Sequence, residues 1–218
     1  MKRETLTAII QYLVDHITHT TFIGTEKVPP KGGIIIATNH MSRIDPPMLL
    51  LTPGRPDIYA LATTKYQSYP LFKWILETAG VVWIDRERAD FSAMRGTLDY
   101  LKKGGAIGIA PEGTRSRIGS LLEGKPGIVL VAEKAKVPIV PVGITGTEDV
   151  MQKFRHFRKP NVTIRFGEPF FLPPMDRNDR EGWLNSCTEE IMVRIAALLP
   201  PPYRGYYADH PRLLKLLA

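Results

Sequence analysis

Short β-branched apolar runs alternate along this chain with stretches whose apolar residues recur every three or four positions. Gly33-Ile34-Ile35-Ile36-Ala37 is apolar without alternation, the pattern of a strand covered on both faces. Comparable runs at 57–62, 81–84, 106–110, 139–143 and 162–166 predict further strands. Between them, helical spacing appears at 70–78, 88–103 and 125–136, and a long final helix is expected at 183–199, before the proline run at 200–202. The helix at 88–103 stops at Gly104-Gly105 because glycine accepts the left-handed backbone that ends a helix. Residues 1–24 form a separate N-terminal segment, where Leu6, Ile10, Leu13, Val14 and Ile17 make an apolar stripe and Arg3, Glu4, Gln11 and Asp15 lie elsewhere. Such an amphipathic helix either packs on the domain or lies in a membrane interface. Strands alternating with helices predict an α/β fold whose strand-end loops carry the chemistry.

Composition adds limits rather than identity. A chain of 218 residues with 44% hydrophobic and 23% charged content is long enough for one domain with a sizeable core. A net charge of +7 implies anionic partners: nucleic acid, phospholipid headgroups or a phosphorylated small molecule. Cys187 is the single cysteine, so no intrachain disulfide or cysteine-based metal site is available, and it reads as a buried structural thiol. There is no run of eighteen apolar residues and no signal-peptide pattern, which leads us to expect a cytoplasmic protein. We find no internal repeat and no low-complexity linker.

Two strand ends carry candidate chemistry. After the run at 33–37 comes Thr38-Asn39-His40-Met41-Ser42-Arg43-Ile44-Asp45, followed by Pro46 and Pro47. Proline suits a helix's first turn, so a helix starts at about Pro46. A tight strand-to-helix turn can hold His40 and Asp45 as a dyad, the carboxylate fixing the imidazole so that its far nitrogen removes a proton from a hydroxyl. Equally, Asp45 can cap the helix and leave His40 a turn residue. The strand at 106–110 runs into Pro111-Glu112-Gly113-Thr114-Arg115-Ser116-Arg117. Glycine allows close backbone approach, Thr114 and Ser116 offer hydroxyls and Arg115 a planar fork, together a phosphate cradle. A solvated basic turn fits the same residues.

Four blocks, in order, resemble the 1-acyl-sn-glycerol-3-phosphate acyltransferases and their glycerolipid acyltransferase relatives: Asn39-His40 with Asp45, Gly80-Val81-Val82-Trp83-Ile84-Asp85-Arg86, Pro111 to Ser116, and Val137-Pro138-Ile139-Val140-Pro141-Val142. The resemblance covers residues 25–172, most of the chain. It implies a mixed, mostly parallel sheet flanked by helices in a single domain, with a catalytic core at 25–175 and a C-terminal helical segment at 176–218 packed on it. It also implies that His40 and Asp45 are catalytic, His40 as general base for direct acyl transfer; the chain has no Gly-x-Ser-x-Gly nucleophile elbow.

The acyl donor would be acyl-coenzyme A or acyl-carrier protein, the acceptor 1-acyl-sn-glycerol 3-phosphate and the product phosphatidic acid, with no cofactor. No metal site is expected either, since the histidines do not pair with carboxylates at ligand spacing. Arg86 and Arg115 are the leading phosphate ligands, Glu112 with Gly113, Thr114 and Ser116 is carried over as substrate-binding, and Lys65 either reaches the phosphate or stays solvated. Glycerol 3-phosphate or another lysolipid as acceptor, a thioesterase using the same dyad, and an inactive phospholipid-binding module are the alternatives. The family also points to contact between residues 1–24 and an anionic membrane. The run Lys153-Phe154-Arg155-His156-Phe157-Arg158-Lys159 interleaves aromatics with cations and suits such a surface, or is a solvated connector. Nucleic acid is not expected.

Overall fold

The computed structural model describes residues 1–85, 91–148, 150–156 and 158–218, with no side-chain detail for Phe91 and Met151. Seven strands form one sheet: β1 (His19–Ile23), β2 (Ile34–Thr38), β3 (Ile58–Thr63), β4 (Val81–Ile84), β5 (Ala106–Ile109), β6 (Ile139–Thr145) and β7 (Asn161–Phe166), in the order β1-β7-β6-β2-β5-β3-β4. All neighbours pair parallel except β6 and β7, so five strands run one way and β7 and β1 the other. The helices are α1 (Arg3–Ile17), α2 (Asp45–Leu50), α3 (Pro70–Ala79), α4 (Phe91–Lys102), α5 (Gly127–Ala135), α6 (Val150–Arg155), α7 (Arg180–Ala197) and α8 (Pro211–Leu217). The expected α/β fold with a mixed, mostly parallel sheet is what forms.

The central strands are apolar on both sides because both sides are covered. In β2, Ile34 and Ile36 point into a core with Met48 and Leu49 of α2 and Val14 of α1. Ile35 and Ala37 point the other way, into a core with Val129 of α5 and Ile191 and Ile195 of α7. Cys187 on α7 is buried in that second core, and burial pushes its thiol above the ordinary value.

Two expectations at the N-terminus change. The helix ends at Ile17 instead of filling residues 1–24, and His19–Ile23 is an edge strand paired with β7. Its exposed and half-buried residues alternate, as suits a strand covered on one side only, and its partner lies about 140 residues along the chain. The stripe on α1 turns mostly inward: Leu6 and Val14 are buried, and Ile10 and Ile17 pack against the core. Ile9, Tyr12 and Leu13 face outward. No helix among the described residues is long and apolar enough to cross a membrane.

Candidate active site

Parallel pairing decides where the chemistry collects. Since β2, β5 and β6 are adjacent and run the same way, the loops that follow them leave the sheet at one edge. The loop after β2 carries His40, the loop after β5 carries Glu112 to Ser116, and the loop after β6 carries Thr147.

Nδ1 of His40 lies 2.8 Å from Oδ2 of Asp45. The carboxylate does not cap α2. It turns back over the loop, where Oδ2 also accepts the backbone N–H groups of Met41 and Ser42 at 2.8 Å each, and Oδ1 accepts the hydroxyl of Thr147. α2 begins at Asp45 itself with Ile44 at the cap position; of the first-turn amides a cap at Asp45 could reach, Pro47 has none and the Met48 N–H donates to the Ile44 carbonyl at 3.1 Å. Asp45 is 2% exposed and His40 20%. With Nδ1 committed to a buried carboxylate, Nε2 is the ring nitrogen left for chemistry.

The backbone of His40 is held as firmly as its ring. Its N–H donates to Oε1 of Glu112 at 2.9 Å, its carbonyl accepts the N–H of Ser116 at 2.8 Å, and Oε2 of Glu112 accepts the N–H of Leu122 at 2.9 Å. Glu112 is 1% exposed. Burial lifts its carboxyl above the ordinary value, against the pull of the two amide donors. Glu112, expected among the substrate-binding residues, ties the His40 backbone to Leu122 of its own loop through its two oxygens. Ser116 is buried, and its hydroxyl donates to the carbonyl of Ser120 at 2.6 Å.

A cavity of about 460 Å³ opens beside the dyad. The β3–β5 ladder runs only from Ile58↔Ala106 to Ala60↔Gly108, whereas β3 continues along β4 to Thr63↔Ile84. The ends of β3 and β5 therefore part, and Ala60, Leu61, Gly108 and Ile109 line the gap. Met94 of α4 and Ile128 and Val131 of α5 add apolar wall, while His40, Asp85, Thr97 and Lys125 supply polar groups.

Of the expected binding loop, Gly113 lines this cavity, whereas Thr114, Arg115 and Ser116 do not. Gly113 has a left-handed φ of +68°, and a β-carbon there would come within 3.2 Å of the Lys125 side chain. Arg115 is half-buried at the same edge and pairs with no acidic group among the described residues; Thr114 is exposed. Lys65 is exposed on the turn after β3, outside the cavity lining. Arg86 lies outside the described residues.

Two contributors, Lys125 and Thr147, carry no local sequence signal, and a third, Asn39, stands in the first motif block without a role that the block reveals. Lys125 reaches the cavity because its N–H donates to the carbonyl of Pro111, folding the long loop back on itself. Asn39 joins the β2 and β6 exits, donating to the Ile144 carbonyl at 2.8 Å and accepting its N–H at 2.7 Å. Thr147 comes from a strand end more than a hundred residues after Asp45.

Residues 19–145 match the protein family described as acyltransferase. The chain is 33% identical over 183 residues to a probable 1-acyl-sn-glycerol-3-phosphate acyltransferase of Mycoplasma pneumoniae, covering 78% of this chain and 68% of that protein. It is 32% identical over 143 residues to a similarly named protein of Mycoplasma genitalium (63% and 53% covered), and 31% identical over 132 residues to a 1-acyl-sn-glycerol-3-phosphate acyltransferase of Borreliella burgdorferi (60% and 52%). The chain thus spans about half the length of the latter two relatives. A crystal structure of the 1-acyl-sn-glycerophosphate acyltransferase from Thermotoga maritima shares the fold, with a TM-score of 0.68 at 22% identity over 86% of this chain and 77% of that one.

Proposed function

This chain belongs to the acyltransferase family, and we propose that it moves a fatty acyl group from a thioester, acyl-coenzyme A or acyl-carrier protein, to the free hydroxyl of 1-acyl-sn-glycerol 3-phosphate, giving phosphatidic acid. The observation that carries this reading is the buried Asp45 carboxylate holding Nδ1 of His40 at the edge of a largely apolar cavity. Nε2 of His40 takes the proton of the acceptor hydroxyl as its oxygen attacks the thioester carbonyl, and Asp45 stabilises the imidazolium that forms. Collapse of the tetrahedral intermediate expels the thiolate, which recovers the proton from His40, so no acyl-enzyme is needed. The cavity between the parted ends of β3 and β5 receives the acyl chain. Arg115 and Lys125 hold the acceptor phosphate, placing its hydroxyl within reach of the base.

The lipid acceptor calls for a membrane surface, and the outward side chains supply one. Ile9, Tyr12 and Leu13 of α1 and Leu71, Phe72 and Trp74 of α3 are exposed, on two helices joined by Leu6, Ile10, Ile75 and Ala79. Exposed aromatics near Lys65 and Lys73, on a chain of net charge +7, suit an anionic interface. We therefore place the protein peripherally on the bilayer, with α3 as well as α1 in contact. Phe72→Ser with Trp74→Ser should reduce sedimentation with vesicles containing anionic lipid, and unchanged sedimentation would remove α3 from the interface.

The reaction is tested by incubating wild-type protein and acyl-coenzyme A or acyl-carrier protein with labelled 1-acyl-sn-glycerol 3-phosphate, with glycerol 3-phosphate, and without acceptor. Phosphatidic acid as the main product supports the reading. Thioester loss without acceptor would mark a hydrolase, and preference for glycerol 3-phosphate would reassign the acceptor.

A further inference from the structure

The dyad accounts for one oxygen of Asp45; the other is held by a residue from a third strand. Oδ2 gathers the ring N–H of His40 and two backbone N–H groups, while among the described residues Oδ1 accepts only the hydroxyl of Thr147. Thr147 is 1% exposed, and among the described residues Asp45 is the one hydrogen-bond partner of its hydroxyl. A buried carboxylate oxygen without that donor would pay a large desolvation penalty, or the group would rotate to find another partner. A carboxylate that rotated would carry the ring on Oδ2 with it.

The loop that delivers Thr147 is fixed from both sides. Upstream, Asn39 exchanges two hydrogen bonds with the backbone of Ile144, which locks the end of β6 to the loop that carries His40. Next, Gly146 takes a left-handed φ of +83° and lies so close to Asn161 that a β-carbon would come within 2.0 Å of its carbonyl oxygen. Only glycine makes that turn there. Downstream, Glu148 accepts a hydrogen bond from the hydroxyl of Tyr203, whose own carbonyl accepts the N–H of Leu121 in the loop after β5. A rigid frame therefore presents one hydroxyl to one carboxylate oxygen.

We propose that Thr147 is a positioning residue for the reaction, acting through Asp45 to keep the imidazole of His40 in one orientation and one tautomer. The assignment rests on the dyad described above. Its role is geometric: the hydroxyl occupies Oδ1 so that Oδ2 stays aimed at Nδ1.

The test compares Thr147→Val, which keeps the shape and removes the donor, with Thr147→Ser, which keeps the donor. Thr147→Val should lower kcat by about 10- to 100-fold, the effect of a small misplacement of a catalytic group. KM for donor and acceptor should stay near wild type, and Thr147→Ser should restore most of kcat. ¹⁵N spectra of histidine-labelled protein give a readout that needs no turnover. In wild type the His40 ring should be in the Nδ1–H form; in Thr147→Val it should populate both tautomers, with the other histidines unchanged. Wild-type kcat in Thr147→Val, an equal loss in both variants, or an unaltered His40 spectrum would overturn the proposal. Failure of the acyltransferase reading would instead show as a wild-type protein without transfer whose His40 spectrum still responds to Thr147→Val.

Discussion

Replacing Asp45 with Asn removes a charge while keeping the side chain's shape, and the structure sets how much else is lost. An amide whose oxygen sits at the Oδ2 position still accepts the N–H groups of His40, Met41 and Ser42, each 2.8 Å away in wild type. Its NH₂ then faces the oxygen of Thr147, which can accept. All four contacts survive, but each changes from charge-assisted to neutral, at about 1 kcal/mol each. Burying a neutral amide costs less than burying a carboxylate at a site 2% exposed, so the net loss in folding free energy should be about 1–3 kcal/mol. Catalysis should suffer far more, because the charge that stabilises the imidazolium and selects its tautomer is gone: kcat should fall about 10²–10⁴-fold. Asp45→Ala should lose similar activity and more stability, since the Met41 N–H and the Thr147 hydroxyl are left without an acceptor at about 1–3 kcal/mol each. Denaturant unfolding and acyl-transfer kcat, measured on the same preparations, separate the two effects. An Asn variant with wild-type kcat would refute the dyad, and an Ala variant as stable as the Asn variant would refute the hydrogen-bond accounting.

Other perturbations follow from the same geometry. Glu112→Gln keeps an acceptor for one of two backbone N–H groups and turns an NH₂ toward the other, so stability should fall by about 1–3 kcal/mol. Because burial raises the Glu112 carboxyl, its stabilising contribution is present below the unfolded-state value near 4.5 and lost as pH rises through the higher folded value. The advantage of wild type over Glu112→Gln in denaturant titrations should therefore shrink with pH across that window, and one that grows would reverse the assigned direction. Gly108→Val should narrow the cavity, since a β-carbon there meets only the Leu49 side chain at 3.2 Å and the Tyr59 carbonyl at 3.8 Å. Its kcat/KM should drop for long-chain thioesters and hold for short ones; equal loss for both would place the acyl chain elsewhere. Arg115→Ala should raise KM for the phosphorylated acceptor more than for the donor, and the opposite pattern would assign the loop to the donor.

The dyad was legible because its parts are local: an apolar run ends, a histidine follows, and an aspartate stands before two prolines that close the turn. Sequence left open whether Asp45 would cap the helix; the helix starts one residue earlier than a cap at Asp45 requires, and the Met48 N–H is taken by the Ile44 carbonyl. Residues whose role depends on burial were harder. Glu112 is carried over from the family motif and Ser116 reads as a hydroxyl donor of a phosphate cradle, and no local pattern shows that the Glu112 carboxylate and the Ser116 backbone N–H hold the backbone of His40 while the Ser116 hydroxyl turns to Ser120. Thr147, Asn39 and Lys125 act through contacts made by strand order or loop folding, which no short window contains. The edge strand β1 escaped for a related reason: five residues with weak alternation become a strand only because β7 is there to pair.

The most direct test of the central claim, that His40 is the general base, is a single-turnover comparison of wild type and His40→Ala with a saturating thioester donor and labelled 1-acyl-sn-glycerol 3-phosphate. In His40→Ala the rate of phosphatidic acid formation should fall at least ~10²-fold while acceptor binding is retained. Transfer by His40→Ala at the wild-type rate would contradict it.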